Sequence, residues 1–139
     1  MIIWGLVSLI GCQNKPEGFV IKGVFQGAPE NEWVYLMNVE QTVYYDSVQL
    51  KKERFEFKGK VDYPELRCIT YFKDPSQRIY GWDKIMVLPI YVENSDIRIS
   101  LPFAELPSKS EKRIPSNLRV EGSHSHDLYA KYKERVTPF

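Results

Sequence analysis

Cysteine is nearly absent from this chain. It occurs only at Cys12 and Cys68, and no Cys-x-x-Cys spacing is present, so a thioredoxin-type redox pair is excluded from this segment. Histidine is equally scarce, at His124 and His126. A charge excess of either sign is missing too: 19 basic against 18 acidic residues leave +1. That balance gives no electrostatic reason to expect nucleic acid, which demands a net basic surface. Charges of both signs are interleaved along the chain, as in Lys51, Lys52, Glu53, Arg54 and Glu56, the pattern of a solvated face. There is no internal repeat and no low-complexity segment. What the chain has is length for one domain (139 residues) and a high aromatic share, 14%. A chain of this size buries about two-thirds of its unfolded surface.

The most legible stretch runs from Tyr44 to Pro64. In its second half Phe55, Phe57, Gly59 and Val61 alternate with Arg54, Glu56, Lys58 and Lys60. A period of two puts one face of a strand on a core and the other in water. In its first half Val48 and Leu50 oppose Ser47 and Gln49, and the pair reads as a β-hairpin.

The first eleven residues carry no charge, are almost wholly apolar, and stop at Cys12. About ten apolar residues are too few to span a bilayer and suit the core of a secretory signal peptide. Leu9-Ile10-Gly11-Cys12 resembles a bacterial lipobox, in which a small residue precedes a cysteine that is diacylated and becomes the mature N-terminus. The segment after it, Gln13 to Gly18, turns abruptly polar. The expected organisation is therefore a signal peptide over 1–11, a tether over 12–17 and one β-domain over 18–139. No Lys or Arg precedes the apolar run and the run is short, as expected if the true start lies upstream. The competing reading makes Ile2 to Ile10 a first strand and Cys12 a buried thiol, with a Cys12–Cys68 disulfide as a further alternative. Acyl chains would anchor the protein, each buried CH₂ adding about 0.8 kcal/mol of membrane affinity.

Further strands are expected at Gly18–Phe25, Glu32–Asn38, Leu66–Lys73, Ile85–Val92, Ile97–Leu101 and Leu118–Glu121, separated by turn-forming segments. Gly23 shares the parity of Phe19, Ile21 and Phe25 and marks a bulge or a close approach of a neighbouring strand. Glu32–Asn38 is apolar on both faces, which predicts a strand covered on both sides. Pro89 argues for an edge or a break. Cys68 shares the parity of Leu66 and Phe72 and is expected on the core face as a small, weakly polar residue. Pro102 to Asn117 reads as a loop. From Ser123 the period changes: Leu128, Tyr132 and Val136 recur every four residues, with Ser123 as cap, Asp127 near the start and basic residues near the end. That predicts a helix over about 123–136. The expected fold is mostly β, an antiparallel sandwich or small barrel of about seven to nine strands with one C-terminal helix.

Chemical constellations are thin. His124, His126 and Asp127 lack an evident third ligand and read as histidines capping an exposed helix, and no metal site is expected. Glu93, Asn94 and Asp96 lack the odd-position spacing of a calcium loop. Asp46 and Ser47 have no base nearby in sequence. Tyr80 and Trp82 flank Gly81 in a loop, where flat amphipathic side chains could meet a sugar, a peptide or a partner domain. They are the candidate ligand or partner contacts; no catalytic residue and no cofactor is expected.

The succession GFVIKGVF, EWVYL, DSVQLKKERFEFKGKVDYPEL, IYVENSDIRISL and LRVEGSHSHDLYAKY resembles the DUF4369-type N-terminal β-domain of exported Bacteroidetes lipoproteins. The likeness spans roughly Gly18 to Tyr132. That resemblance implies a domain that usually precedes a thioredoxin-like thiol–disulfide interchange domain. The family tends to have a glycine in the turn before Phe-x-Phe-x-Gly; here the turn is Lys51-Lys52-Glu53. This segment ends at Phe139 ahead of any thioredoxin domain, so the oxidoreductase activity is not carried over to it. Together these readings lead to a non-catalytic accessory or interaction domain of an envelope lipoprotein, held to the membrane through Cys12 and associated with a thioredoxin-like partner. The alternative is a carbohydrate- or peptide-binding module using Tyr80 and Trp82.

Overall fold

The computed structural model describes residues 17–77, 81–111 and 113–136. Cys12, the eleven residues before it and Tyr80 lie outside that range. The described chain forms β1 (Phe19–Gln26), β2 (Trp33–Asn38), β3 (Tyr44–Gln49), β4 (Arg54–Gly59), β5 (Glu65–Phe72), β6 (Ile85–Val92), β7 (Asp96–Pro102), β8 (Arg119–Glu121) and α1 (His124–Val136). The strands make two four-stranded sheets, β4-β1-β7-β8 (sheet A) and β3-β2-β5-β6 (sheet B). The mostly-β sandwich with a C-terminal helix is as expected. One pair departs from the antiparallel expectation: β1 and β7 run parallel.

The alternating positions build the interior. Phe19, Ile21 and Phe25 of β1, Phe55 and Phe57 of β4, and Ile97, Ile99 and Leu101 of β7 meet Val34 and Leu36 of β2, Ile69 of β5 and Leu88, Ile90 and Val92 of β6 in one cluster. Two glycines explain how so many rings fit between β1 and β4. Gly23 pairs with Phe55, and Phe19 pairs with Gly59. Each missing Cβ is replaced by the partner's ring, since a Cβ on Gly59 would lie 2.6 Å from the Phe19 ring. The Phe-x-Phe-x-Gly run is thus a packing device: two rings pointing inward, then a gap that receives a third. The close approach expected at Gly23 is what the structure contains.

The Tyr44–Pro64 hairpin is not a hairpin. β3 pairs with β2 in sheet B, and β4 pairs with β1 in sheet A. Only the turn itself is hairpin-like, with Lys51 N–H donating to Arg54 O and Arg54 N–H to Lys51 O, both at 3.0 Å. Lys52 and Glu53 have φ of +49° and +68°, the two positive values of a type I′ turn that Asn-Gly usually supplies. Non-glycine residues there cost roughly 1–2 kcal/mol each, and neighbouring loops offset this. Glu53 O accepts from Phe25 N–H at 2.9 Å and its carboxylate from Gly27 N–H at 3.0 Å. The turn is thereby tied to the end of β1, and the chain passes from one sheet to the other instead of pairing with itself.

The central part of sheet B, around β5, is buried on both faces. On β5 the inward side chains are Arg67, Ile69 and Tyr71, while Cys68 and Phe72 point outward into a second cluster with Met37, Ile85 and Val87. Cys68 is buried, as expected, but its parity belongs to this outer cluster. β2 contributes to both layers, Val34 and Leu36 inward and Met37 outward, as its two apolar faces predict. The outer edge of β6 is closed. Val87 N–H donates to Pro107 O, Lys109 N–H to Ile85 O, Tyr91 N–H to His126 Nδ1, and Ser123 Oγ to Tyr91 O. Pro89 falls between Val87 and Tyr91 and has no N–H that would need a partner. β6 is the edge strand its proline predicts.

Helix α1 begins as read. Ser123 Oγ accepts from His126 N–H at 3.1 Å, and the Glu93 carboxylate accepts from Ser125 N–H at 2.8 Å. Its packed face differs from the four-residue stripe, however. Leu128 and Tyr132 are exposed, whereas His126 is buried and Tyr129 meets Tyr91 edge-on, with ring centres 5.2 Å apart. The helix docks through the residues beside its cap, because the cap fixes its rotation against β6.

Candidate functional site

Two surfaces stand out, and both belong to sheet B. The first is its free edge. β6 is closed on its outer side, whereas among the described residues β3 pairs with β2 alone and ends the sheet. Its first four residues are exposed, and the preceding turn carries exposed Val39 and Val43. Asn38 builds that turn, its Oδ1 accepting from Thr42 N–H and Val43 N–H, each at 2.8 Å. Asp46 and Ser47 sit on this edge, the carboxylate accepting from Ser47 N–H at 2.8 Å, with neither histidine beside them. An exposed edge whose only charge among the described residues of the strand is Asp46 is a template for another strand. β4, one of the two edges of sheet A, is guarded by the charges of Arg54, Glu56 and Lys58.

The second surface is a groove of about 430 Å³ on the outer face of sheet B. Its floor is Leu66, Cys68, Val87 and Pro89, and its walls include Trp82, Ile114 and Tyr129. Burial pushes the Cys68 thiol up to about 11, so it presents neutral apolar surface and no nucleophile. Trp82 opens a single 3-10 turn, Trp82–Lys84, and stays 52% exposed with Lys109 Nζ 4.7 Å from its ring centre. A larger, shallower depression of about 610 Å³ lies on the outer face of sheet A. There the cross-strand row Glu56–Lys22–Arg98–Glu121 flanks two basic side chains with two acidic ones, so its formal charges cancel.

The remaining sequence candidates are accounted for by structure. Asn94 bridges Val61, with Val61 N–H donating to Oδ1 at 3.0 Å and Nδ2 donating to Val61 O at 2.7 Å. Glu93 caps α1, so neither residue is arranged for calcium. His124 and His126 diverge: His124 is exposed, and His126 is buried and accepts a hydrogen bond from Tyr91 N–H at 3.2 Å. The expectation of two histidines on an exposed helix is corrected on this point. Among the described residues no group of three or more metal-ligating side chains occurs, and no helix is long and apolar enough to cross a membrane.

The buried His126 makes a pH prediction. Desolvation holds it below its ordinary value of 6.5, with nearby Asp127 opposing weakly. The unfolded chain therefore binds the proton more readily than the folded one. Stability is complete above about 6.5 and falls as pH drops toward the folded-state value, by up to about 1.4 kcal/mol per pH unit. His126→Asn, whose side-chain oxygen can still accept from Tyr91 N–H, should flatten urea midpoints between pH 5 and 6.5 relative to the parent chain.

The fold is that of a two-sheet β-sandwich domain with a capped helix closing one edge. The chain matches the family model described as a domain of unknown function, DUF4369, over residues 19–129, and belongs to that family. No curated protein and no solved structure matches it.

Proposed function

We propose that this chain is a non-catalytic interaction domain of a membrane-tethered envelope lipoprotein. In this reading Cys12 carries the lipid, and β3 receives a segment of a partner protein, which the family resemblance makes a thioredoxin-like one. The observation that carries the reading is the contrast between the two edges of sheet B: β6 is closed by Pro107, Lys109, Ser123 and His126, and β3 is left open with Val39, Val43, Tyr44 and Tyr45 around it. Strand addition at such an edge draws affinity from backbone hydrogen bonds and specificity from flanking side chains. The test is a photo-cross-linking residue placed at Ser47 on β3, or at Glu56 on β4, in the native host. An adduct with a thioredoxin-like protein from position 47 and none from position 56 is expected. Adducts from position 56 alone, or none from either position, would contradict it. Intact-mass analysis of the same material should find Cys12 acylated at the N-terminus; an unmodified Cys12 with residues 1–11 retained rejects the anchor.

A second reading, a ligand-binding module, is favoured by the half-exposed Trp82 at the lip of the groove. Its ring offers a ligand flat, amphipathic area beside an apolar floor.

A further inference from the structure

The groove on sheet B has a chemical signature more specific than an aromatic surface. Fourteen side chains line it, and the charged ones are Lys109, Arg113 and Lys133, with no acidic residue among them. The floor consists of Leu66, Cys68, Val87 and Pro89 from β5 and β6. Those strands bond to each other along the whole register from Glu65–Val92 to Phe72–Ile85, and β6 spends its outer groups on the loop and helix. The floor therefore offers hydrocarbon and little backbone. Of the uncharged polar side chains, Ser108 already bonds to Ser110 at 2.9 Å, and Gln41 leaves one buried oxygen, Oε1, unpartnered for a ligand donor. A sugar or a peptide buried here would leave many donors and acceptors unmatched, at a cost of about 1–3 kcal/mol each. A volume of about 430 Å³ lies within the range of small-molecule sites, which are mostly apolar with a few placed polar groups.

We infer that the groove binds a single-chain amphiphile with an anionic head, its acyl chain along Leu66, Val87 and Pro89 and its carboxylate at Lys109 and Arg113. This inference rests on the second reading above and names its ligand class. It does not depend on β3. The stack of Lys109 on Trp82 places a cation at the boundary between wall and solvent, where the head of such a ligand would emerge. Arg113 now meets Glu111 at 3.1 Å on an exposed surface, a pairing weak enough to yield to a bound carboxylate.

The test is calorimetric titration of the full chain, carrying Cys12→Ser so that no detergent is needed, with saturated carboxylates of eight to sixteen carbons below their micellar concentrations. Each added CH₂ should tighten binding about fourfold until the groove is filled, the equivalent of about 0.8 kcal/mol per methylene. The alcohol of equal length should bind at least tenfold more weakly. Lys109→Glu with Arg113→Glu should abolish that preference, and Trp82→Ala should weaken all lengths. Ser47→Pro on β3 should change nothing. Binding independent of chain length, or equal for alcohol and carboxylate, overturns the inference. Glycan or acidic-peptide binding lost with Trp82→Ala, without any carboxylate binding, would overturn it and leave the ligand-module reading standing.

Discussion

Gly23→Val is expected to destabilise the domain by about 3 kcal/mol or more, lowering its melting temperature by roughly 10 °C. A Cβ at this position would lie 1.9 Å from Cζ of Phe55 and within 2.5 Å of two other ring atoms. The ring has nowhere to retreat. It is tilted against Phe25 at 4.7 Å and Phe57 at 5.8 Å, and all three belong to the main core. Either β1 separates from β4 or Phe55 leaves its rotamer. The mechanism is specific to one contact, so a double-mutant cycle checks it. Phe55→Ala alone should cost about 3–5 kcal/mol by cavity formation. Combined with Gly23→Val, the valine fills part of that cavity, and the sum should fall short by at least about 1 kcal/mol. Additive urea midpoints would mean that Gly23 and Phe55 do not share the space.

The second large effect concerns a buried charge. Arg67 is 8% exposed on the core side of β5. Its guanidinium bonds to the Glu65 carboxylate through Nε at 2.6 Å and Nη2 at 2.5 Å, and lies 3.8 Å from the ring centre of Tyr45. Removing only the carboxylate leaves the cation desolvated and unpaired. Glu65→Ala should therefore cost about 2–3 kcal/mol, below the full buried-pair figure because Glu65 is partly open to solvent. Replacing both, Glu65→Ala with Arg67→Met, should recover most of the loss, since methionine keeps the packing on Tyr45 and Phe19 without the charge. A double variant as unstable as Glu65→Ala alone would show that the charge itself holds β5 in register.

The faces of β1, β4 and β7 were legible in the sequence because each has one apolar and one polar or half-covered side. Partners were not legible. Alternation from Tyr44 to Val61 describes a hairpin and a sheet-to-sheet corner equally well, and the choice depends on Phe25 and Gly27, far upstream, bonding to Glu53. Parity misleads on β5 for a related reason: both faces are buried, so Cys68 and Ile69 look alike although they enter different clusters. Arg67 was hidden by the rule that charges face water. On α1 the Leu128–Tyr132 stripe was the stronger pattern, yet the cap at Ser123 turned the helix toward His126 and Tyr129. The groove was beyond sequence reading altogether. Its lining comes from the β2–β3 turn, β5, β6, the Trp82 turn, the loop after β7 and α1, and no short motif spans such segments. Trp82 alone carried a signal, as an aromatic beside a loop glycine.

The most direct measurement of the proposed interaction role is amide hydrogen exchange along β3 of the full chain, with and without the protein captured from position 47. New protection at residues 44–49 is expected on binding, with β4 and β8 unchanged. Unchanged exchange at 44–49 in a complex that is otherwise saturated would contradict it.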